Sequence, residues 1–235
     1  IRLFVSADCS ASSSFPLDEK QSHYLKHVMR QNDGDEILVF NGRDGEWQGT
    51  LAITKKSVVV TTHKQTRKQS NEGQLTLLFA PIKRGHGDMT IEKASELGAS
   101  ELYPIITERT IVTRVPTERY EAIAIEAAEQ CERLSVPKIH EAQKLDILLK
   151  NWNPNKHILL CAEAGDATPV ATEMASMNMP ALAVMVGPEG GFTDKEFSML
   201  RTLPFVTPVT LGPRIVRADT AAISALSIIQ ALKKS

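Results

Sequence analysis

Cysteine is scarce in this 235-residue chain. Cys9, Cys131 and Cys161 are scattered, odd in number and never in a CxxC spacing. That excludes a disulfide framework and a zinc-binding cysteine cluster, and it points to a reducing, cytoplasmic setting. No apolar run approaches the ~18 residues of a membrane-spanning helix. The amino end, Ile1 to Val5, reads as a strand and lacks a signal-peptide cleavage pattern. No GxxxxGK precedes a Ser or Thr, so a P-loop nucleotidase is excluded, and no GxSxG marks a nucleophile elbow. Gly85-His86-Gly87 starts like a dinucleotide fingerprint, but the third glycine position holds Thr90, which leaves a flexible basic loop. His23 and His27 stand at i, i+4 with no HExxH glutamate and no third ligand nearby. They read as a solvated helix face, and no metal is expected.

Charge of one sign is also lacking. The net charge of −1 gives no bulk attraction for a nucleic acid. Its distribution is less even: residues 1–70 carry 10 Lys and Arg against 8 Asp and Glu, and residues 71–235 carry 17 against 20. Lys55, Lys56, Lys64, Arg67 and Lys68 lie in a window without an acid, which is either a solvated face or a local patch for a structured RNA.

What is present is a change of rhythm. The first seventy residues predict a small β domain: strands at 2–5, 36–40, 46–53 and 57–64, and a helix over 18–29. Asn41-Gly42 and Asp44-Gly45 supply turn signals. Residues 65–73 are polar and aperiodic, and read as a linker. From Gln74 strands and helices alternate. Strands are expected at 75–80, 102–106, 157–161, 181–186 and 206–211, and helices at 88–97, 117–134, 144–151, 168–177, 193–200 and 219–232. This pattern predicts a parallel sheet covered on both faces, over residues 74–235.

Two stretches organise the larger region. The apolar run 181–186 breaks into Gly187-Pro188-Glu189-Gly190-Gly191-Phe192, and the run 205–211 breaks into Gly212-Pro213-Arg214-Ile215-Val216-Arg217. Both loops leave the carboxyl ends of buried strands, where open α/β sheets bind ligands. Plain strand-to-helix turns would explain either loop alone. Ile215 and Val216, however, are apolar where a turn would be polar. An apolar loop with free main-chain groups suits a flat heterocycle such as adenine.

These paired loops resemble those of the RsmE family, in the SPOUT class of S-adenosylmethionine-dependent RNA methyltransferases. The likeness runs through Leu211 to Ala221 and extends to Glu92–Gly98, Glu108-Arg109-Thr110 and Glu129–Arg133. Where the family usually has Glu, this chain has Asp219. The resemblance implies a PUA-like RNA-binding β-barrel over residues 1–70 and a SPOUT domain with a carboxyl-terminal trefoil knot over 74–235. It also implies a homodimer through the larger domain, and methylation of uridine N3 in 16S ribosomal RNA of the small subunit.

On that reading S-adenosyl-L-methionine is held by Gly187, Gly190, Gly191, Leu211, Gly212, Ile215, Val216, Arg217 and Ala222. Arg217 is the expected catalytic cation, and Glu189 or a water the proton acceptor. Arg30, Lys83, Arg84, Arg109, Arg114 and Arg133 are the candidate RNA contacts. Two alternatives stay open: a catalytically silent RNA- or ribosome-binding protein of the same fold, and a small-molecule enzyme using another adenine nucleotide.

Overall fold

The computed structural model describes residues 1–112, 114–162, 167–176 and 181–232, with the Arg84 side chain outside the description. It divides into two compact units, 1–71 with 128–136, and 72–127 with 137–235.

The first unit contains β1 (Arg2–Phe4), β2 (Ser14–Pro16), α1 (Glu19–His23), β3 (Glu36–Phe40), β4 (Glu46–Ile53) and β5 (Val58–Arg67). The strands pair in the order β1-β3-β4-β5-β2, with only β1–β3 parallel. Alternating inward residues, among them Ile37, Val39, Leu51, Val58 and Val60, build its core with Leu3, Val5 and Leu25. The Asp18 side chain caps α1 by accepting from the Gln21 amide at 2.7 Å. The expected single helix over 18–29 is instead α1 followed by one π-helical stretch, Tyr24–Val28. The expected linker is also shorter, because β5 carries Gln65 opposite Trp47 and Arg67 opposite Glu46 of β4, with Thr66 at a register shift between them.

Residues 128–136 belong to this unit for a chemical reason. Buried Arg2 pairs with Glu46 at 2.7 Å, lies over the Phe40 ring, and donates to the carbonyls of Ala128 and Arg133. Burial alone would raise the Glu46 carboxyl, but the bonds from Arg2 and Thr66 outweigh it and hold the group low. The Phe4 amide adds a bond to Glu129 Oε1 at 2.8 Å.

The second unit begins with β6 (Gln74–Phe79), α2 (Arg84–Glu96), β7 (Glu101–Ile106) and α3 (Thr117–Gln130), whose last turn counts with the first unit. It continues with β8 (Lys138–Ile139), β9 (Gln143–Lys144), α4 (Leu145–Lys150), β10 (His157–Cys161), β11 (Thr168–Pro169) and α5 (Val170–Ser176). It ends with β12 (Ala181–Val186), α6 (Asp194–Arg201), β13 (Val206–Thr210) and α7 (Ala218–Leu232). The sheet order is β11-β13-β10-β12-β6-β7-β8, with β9 also on β7, and every pairing is parallel.

The central strands β10, β12 and β6 are apolar at most positions because helices cover both faces. Leu78, Ile158, Leu160, Ala183 and Met185 face a cluster shared with Leu145, Leu148 and Leu149 of α4 and Leu200 of α6. The other face takes α7, which packs on β12 with α2 and α5 beside it. Fully buried leucines such as Leu77 and Leu159 contribute about 2–3 kcal/mol each. The helix expected over 168–177 begins only at Val170, as α5, because Thr168 and Pro169 pair with β13; Met177 lies outside the described residues.

The expectation at Gly85-His86-Gly87 is corrected. These residues form the first turn of α2, not a loop, and the Gly87 amide bonds the Lys83 carbonyl at 3.0 Å. The helix expected over 117–134 ends at Gln130, and Glu132 takes a φ of +60°. Glu129 and Arg133 therefore do not share a helical face.

Candidate active site

Strands β13, β10 and β12 are neighbours, and all three carboxyl ends open on one cavity of about 410 Å³. Both glycine loops line it, from Gly187 to Phe192 and from Leu211 to Arg217. Cys161 and Ala162 add the end of β10.

Local chemistry fixes the loops. At Gly187 an added Cβ would sit 2.8 Å from the Phe192 ring, so only glycine allows that ring to fold back on the loop. Gly212 has φ +126°, a conformation that side chains rarely adopt, and its own surroundings are open. The Gly191 amide closes a turn on the Pro188 carbonyl at 2.8 Å.

The first loop ends in a capping box that does more than start α6. Thr193 Oγ1 accepts from the Glu196 amide at 3.2 Å, and Glu196 Oε2 accepts from the Thr193 amide at 2.9 Å. Glu196 is buried, and its other oxygen accepts from the Glu108 amide at 2.8 Å. Next to it, Arg109 Nη1 donates to the carbonyls of Gly190 at 2.8 Å and Phe192 at 3.3 Å. The turn 107–110 is itself closed by Thr107 and Thr110. The glycine loop is thus held from two sides.

The groups at the cavity are suited to positioning and charge stabilisation. Burial pushes the Cys161 thiol up to about 12, so it is no nucleophile at neutral pH. Arg217 and Glu189 are exposed, and among the described residues neither side chain makes a hydrogen bond or ion pair. Ile215 is 75% exposed beside them, an apolar surface with nothing of its own to cover it.

A family model described as an RNA methyltransferase domain matches residues 68–230, and one described as an RNA methyltransferase PUA domain matches 17–62. A ribosomal RNA small subunit methyltransferase E from Rickettsia conorii is 32% identical over 98% of this chain and 95% of its own. The chain belongs to the ribosomal RNA small subunit methyltransferase E family. A crystal structure of a methyltransferase E from Neisseria gonorrhoeae bound to S-adenosyl methionine superposes with a TM-score of 0.88, at 26% identity over 98% of this chain and 97% of that one. A Legionella pneumophila methyltransferase in complex with the same cofactor gives 0.86, at 28% identity over 98% and 97%.

In this chain the cavity gathers Gly187, Gly190, Gly191, Leu211, Gly212, Ile215, Val216, Arg217 and Glu189. Ala222 is 1% exposed and lies in the core, one residue behind the lining Ala221.

The basic residues separate. Arg109 lines the same cavity as a clamp on the glycine loop. Arg114 is exposed at a second cavity of about 750 Å³, next to Tyr120 and the bidentate Arg119–Asp88 pair. Lys83 is exposed as the residue before α2, while the Arg84 side chain lies outside the described residues. Arg30 is exposed in the first unit at φ +52°. Arg133 is a correction: it is 8% exposed and bonds Ser135 Oγ, so its guanidinium is spent inside the first unit.

Sequence reasoning missed two groups. Thr193 and Glu196 stand at capping-box spacing in the sequence, but nothing in it reveals the reach of Glu196 to the Glu108 amide. No sequence signal links His86 to Asp219, whose carboxylate accepts from the imidazole at 2.6 Å.

Proposed function

We propose that this chain transfers the methyl group of S-adenosylmethionine to N3 of a uridine in 16S ribosomal RNA of the small subunit, in the cytoplasm. The observation that carries the reading is the cavity ringed by both glycine loops with Arg217 unpaired at its edge. Its volume of about 410 Å³ lies within the ~300–1,000 Å³ of small-molecule sites. Family membership and two cofactor-bound relatives of the same fold support it.

The residues fit the cofactor. Main-chain groups of 187–191 and 211–216 line the cavity and would hold the cofactor's polar edges, while Leu211, Ile215 and Val216 would cover its heterocycle. When bound, S-adenosylmethionine supplies an electrophilic methyl group on a sulfonium. The remaining work is positional and electrostatic. Uridine N3 carries an imide proton and becomes a nucleophile as that proton leaves. Arg217 stabilises the developing anion, and Glu189, directly or through water, takes the proton. Residues 1–70 bind the RNA, aided by Arg30, Lys83, Arg84 and Arg114. The larger domain carries the trefoil knot and pairs with a second copy. Ile223 and Ile228 of α7 are only partly buried by their own domain, which leaves apolar surface for that pairing.

Nucleoside mass spectrometry of 16S ribosomal RNA tests the reaction. Deleting the gene should remove 3-methyluridine, the wild-type copy should restore it, and Arg217→Ala should not. Persistence of the modified base at its normal level in the deletion strain would overturn the function. Calorimetry with S-adenosylmethionine, S-adenosylhomocysteine, ATP and NAD side by side tests the cofactor.

A further inference from the structure

Helices α2 and α7 are fastened to each other at both ends. Near their starts, His86 Nδ1 meets Asp219 Oδ2 at 2.6 Å. Near their ends, Gln230 Nε2 donates to the Leu97 carbonyl at 2.7 Å. Each pair of anchors is eleven residues apart along its helix, so the helices run parallel for about 16 Å between two pins.

The two pins differ in what they hold. The far pin lies away from the cavity. The near pin lies in the first turn of α7, where Ala218 and, just before it, Arg217 line the cavity. Asp219 is 5% exposed, and its second oxygen accepts from the Thr220 amide at 2.7 Å. The Arg217 carbonyl accepts from the Ala221 amide at 2.8 Å, which joins the Arg217 backbone to the same turn. His86 is itself fixed within α2, where its carbonyl accepts from Thr90 Oγ1 at 2.9 Å. Its side chain is half exposed, so it does not owe its place to core packing.

We propose that His86 and Asp219 are positioning residues for methyl transfer, fixing the first turn of α7 and with it the direction from which Arg217 approaches the reacting base. This rests on the proposed reaction. The pin works because a buried carboxylate at the amino end of a helix is favoured by the helix dipole, yet it needs a directional donor to select one rotamer. His86 supplies that donor from a neighbouring helix. Losing it frees the turn without emptying the cavity.

The test compares His86→Ala and His86→Asn with Gln230→Ala, which removes only the far pin. His86→Ala should lower kcat at least tenfold at saturating substrates while S-adenosylhomocysteine affinity stays within threefold. His86→Asn keeps a donor close to Nδ1 and should recover part of the rate. Gln230→Ala should stay within twofold of wild type in kcat, even where its melting temperature falls as far as that of His86→Ala. Hydrogen exchange gives a readout independent of methyl transfer: the Thr220 and Ala221 amides should exchange faster in His86→Ala alone. Unchanged exchange there, or rate losses that merely track melting temperature across all three variants, would overturn the proposal. A wild-type enzyme that binds cofactor, shows the exchange difference and transfers no methyl group would count against the reaction and not against the pin.

Discussion

Arg109 decides between two physical accounts of one side chain. By residue type and position it is a candidate phosphate ligand, but its geometry makes it a clamp. Nη1 reaches the Gly190 carbonyl at 2.8 Å and the Phe192 carbonyl at 3.3 Å, and the preceding amide is fixed by Glu196. Arg109→Ala removes both bonds and leaves the glycine loop held only by its own turn and the capping box. A hydrogen bond from a charged donor contributes about 1.5–3 kcal/mol when buried. Arg109 is exposed, so solvent reduces the pair to about 1 kcal/mol.

If that ordering is needed for cofactor binding, the loss appears as a roughly fivefold weaker Kd for S-adenosylhomocysteine. It also appears as a melting temperature lower by about 2–4 °C. Calorimetry measures the first, and a salt titration of RNA affinity tests the rival account. Were Arg109 bound to a phosphate, its removal would lower the slope of log affinity against log salt by about one. A cofactor affinity within twofold of wild type together with that reduced slope would refute the clamp.

Glu196→Gln should destabilise although it is nearly isosteric. Both carboxylate oxygens accept from main-chain amides, and a carboxamide must point its NH₂ at one of them. The cost is about 1–3 kcal/mol, and calorimetric melting should drop by several degrees; an unchanged melting temperature contradicts the network. Cys161, with its thiol raised to about 12, should react with iodoacetamide at pH 8 about a thousandfold more slowly than a free cysteine of pKa ~8.5. Peptide mass spectrometry reads the difference, and rapid labelling of the folded protein would count against it.

Acid should unfold the protein in two stages. Burial lowers His140 and His157 in the folded state, so below about pH 6.5 the unfolded chain takes up their protons first and stability declines. Glu46, Glu101 and Asp219 also lie low in the folded state, because their hydrogen bonds and charged neighbours outweigh burial. Their contribution is complete above the unfolded carboxylate value of about 4 and is lost as pH falls through the folded ones. Denaturant midpoints from pH 8 to 3 should fall below about 6.5 and more steeply below about 4. A midpoint that rose between pH 7 and 5 would contradict this.

The strands that place the site were legible because each lies in a short apolar run, and those of β12 and β13 break into Gly-Pro. His157–Cys161 and Ala181–Val186 fall where the pattern puts them. The two- and three-residue strands β2, β8, β9 and β11 carry no periodicity to read. The start of α2 escapes a reading by pattern because Gly-His-Gly has poor helix propensity. There tertiary structure overrides propensity, through the bond from His86 to Asp219 and the close approach of Gly87 to the Tyr120 hydroxyl. Arg133 escapes it because the helix expected to reach residue 134 ends at Gln130, and the turn that follows leaves the arginine buried.

The site divides along the same line. Its lining was readable, since the glycines, the apolar insert and Arg217 announce themselves within two short stretches. Its fastenings were not, since they join residues 81, 88 and 133 positions apart: Arg109 to Gly190, Glu108 to Glu196, and His86 to Asp219. The last of these gives the departure at position 219 a physical meaning. Asp219 is buried and already 2.6 Å from the imidazole. A glutamate there would carry its carboxylate one carbon farther, into the space His86 occupies, or would have to turn away and give up the Thr220 amide. The shorter acid and the histidine fit each other, so in this chain the two positions act as one unit of the site.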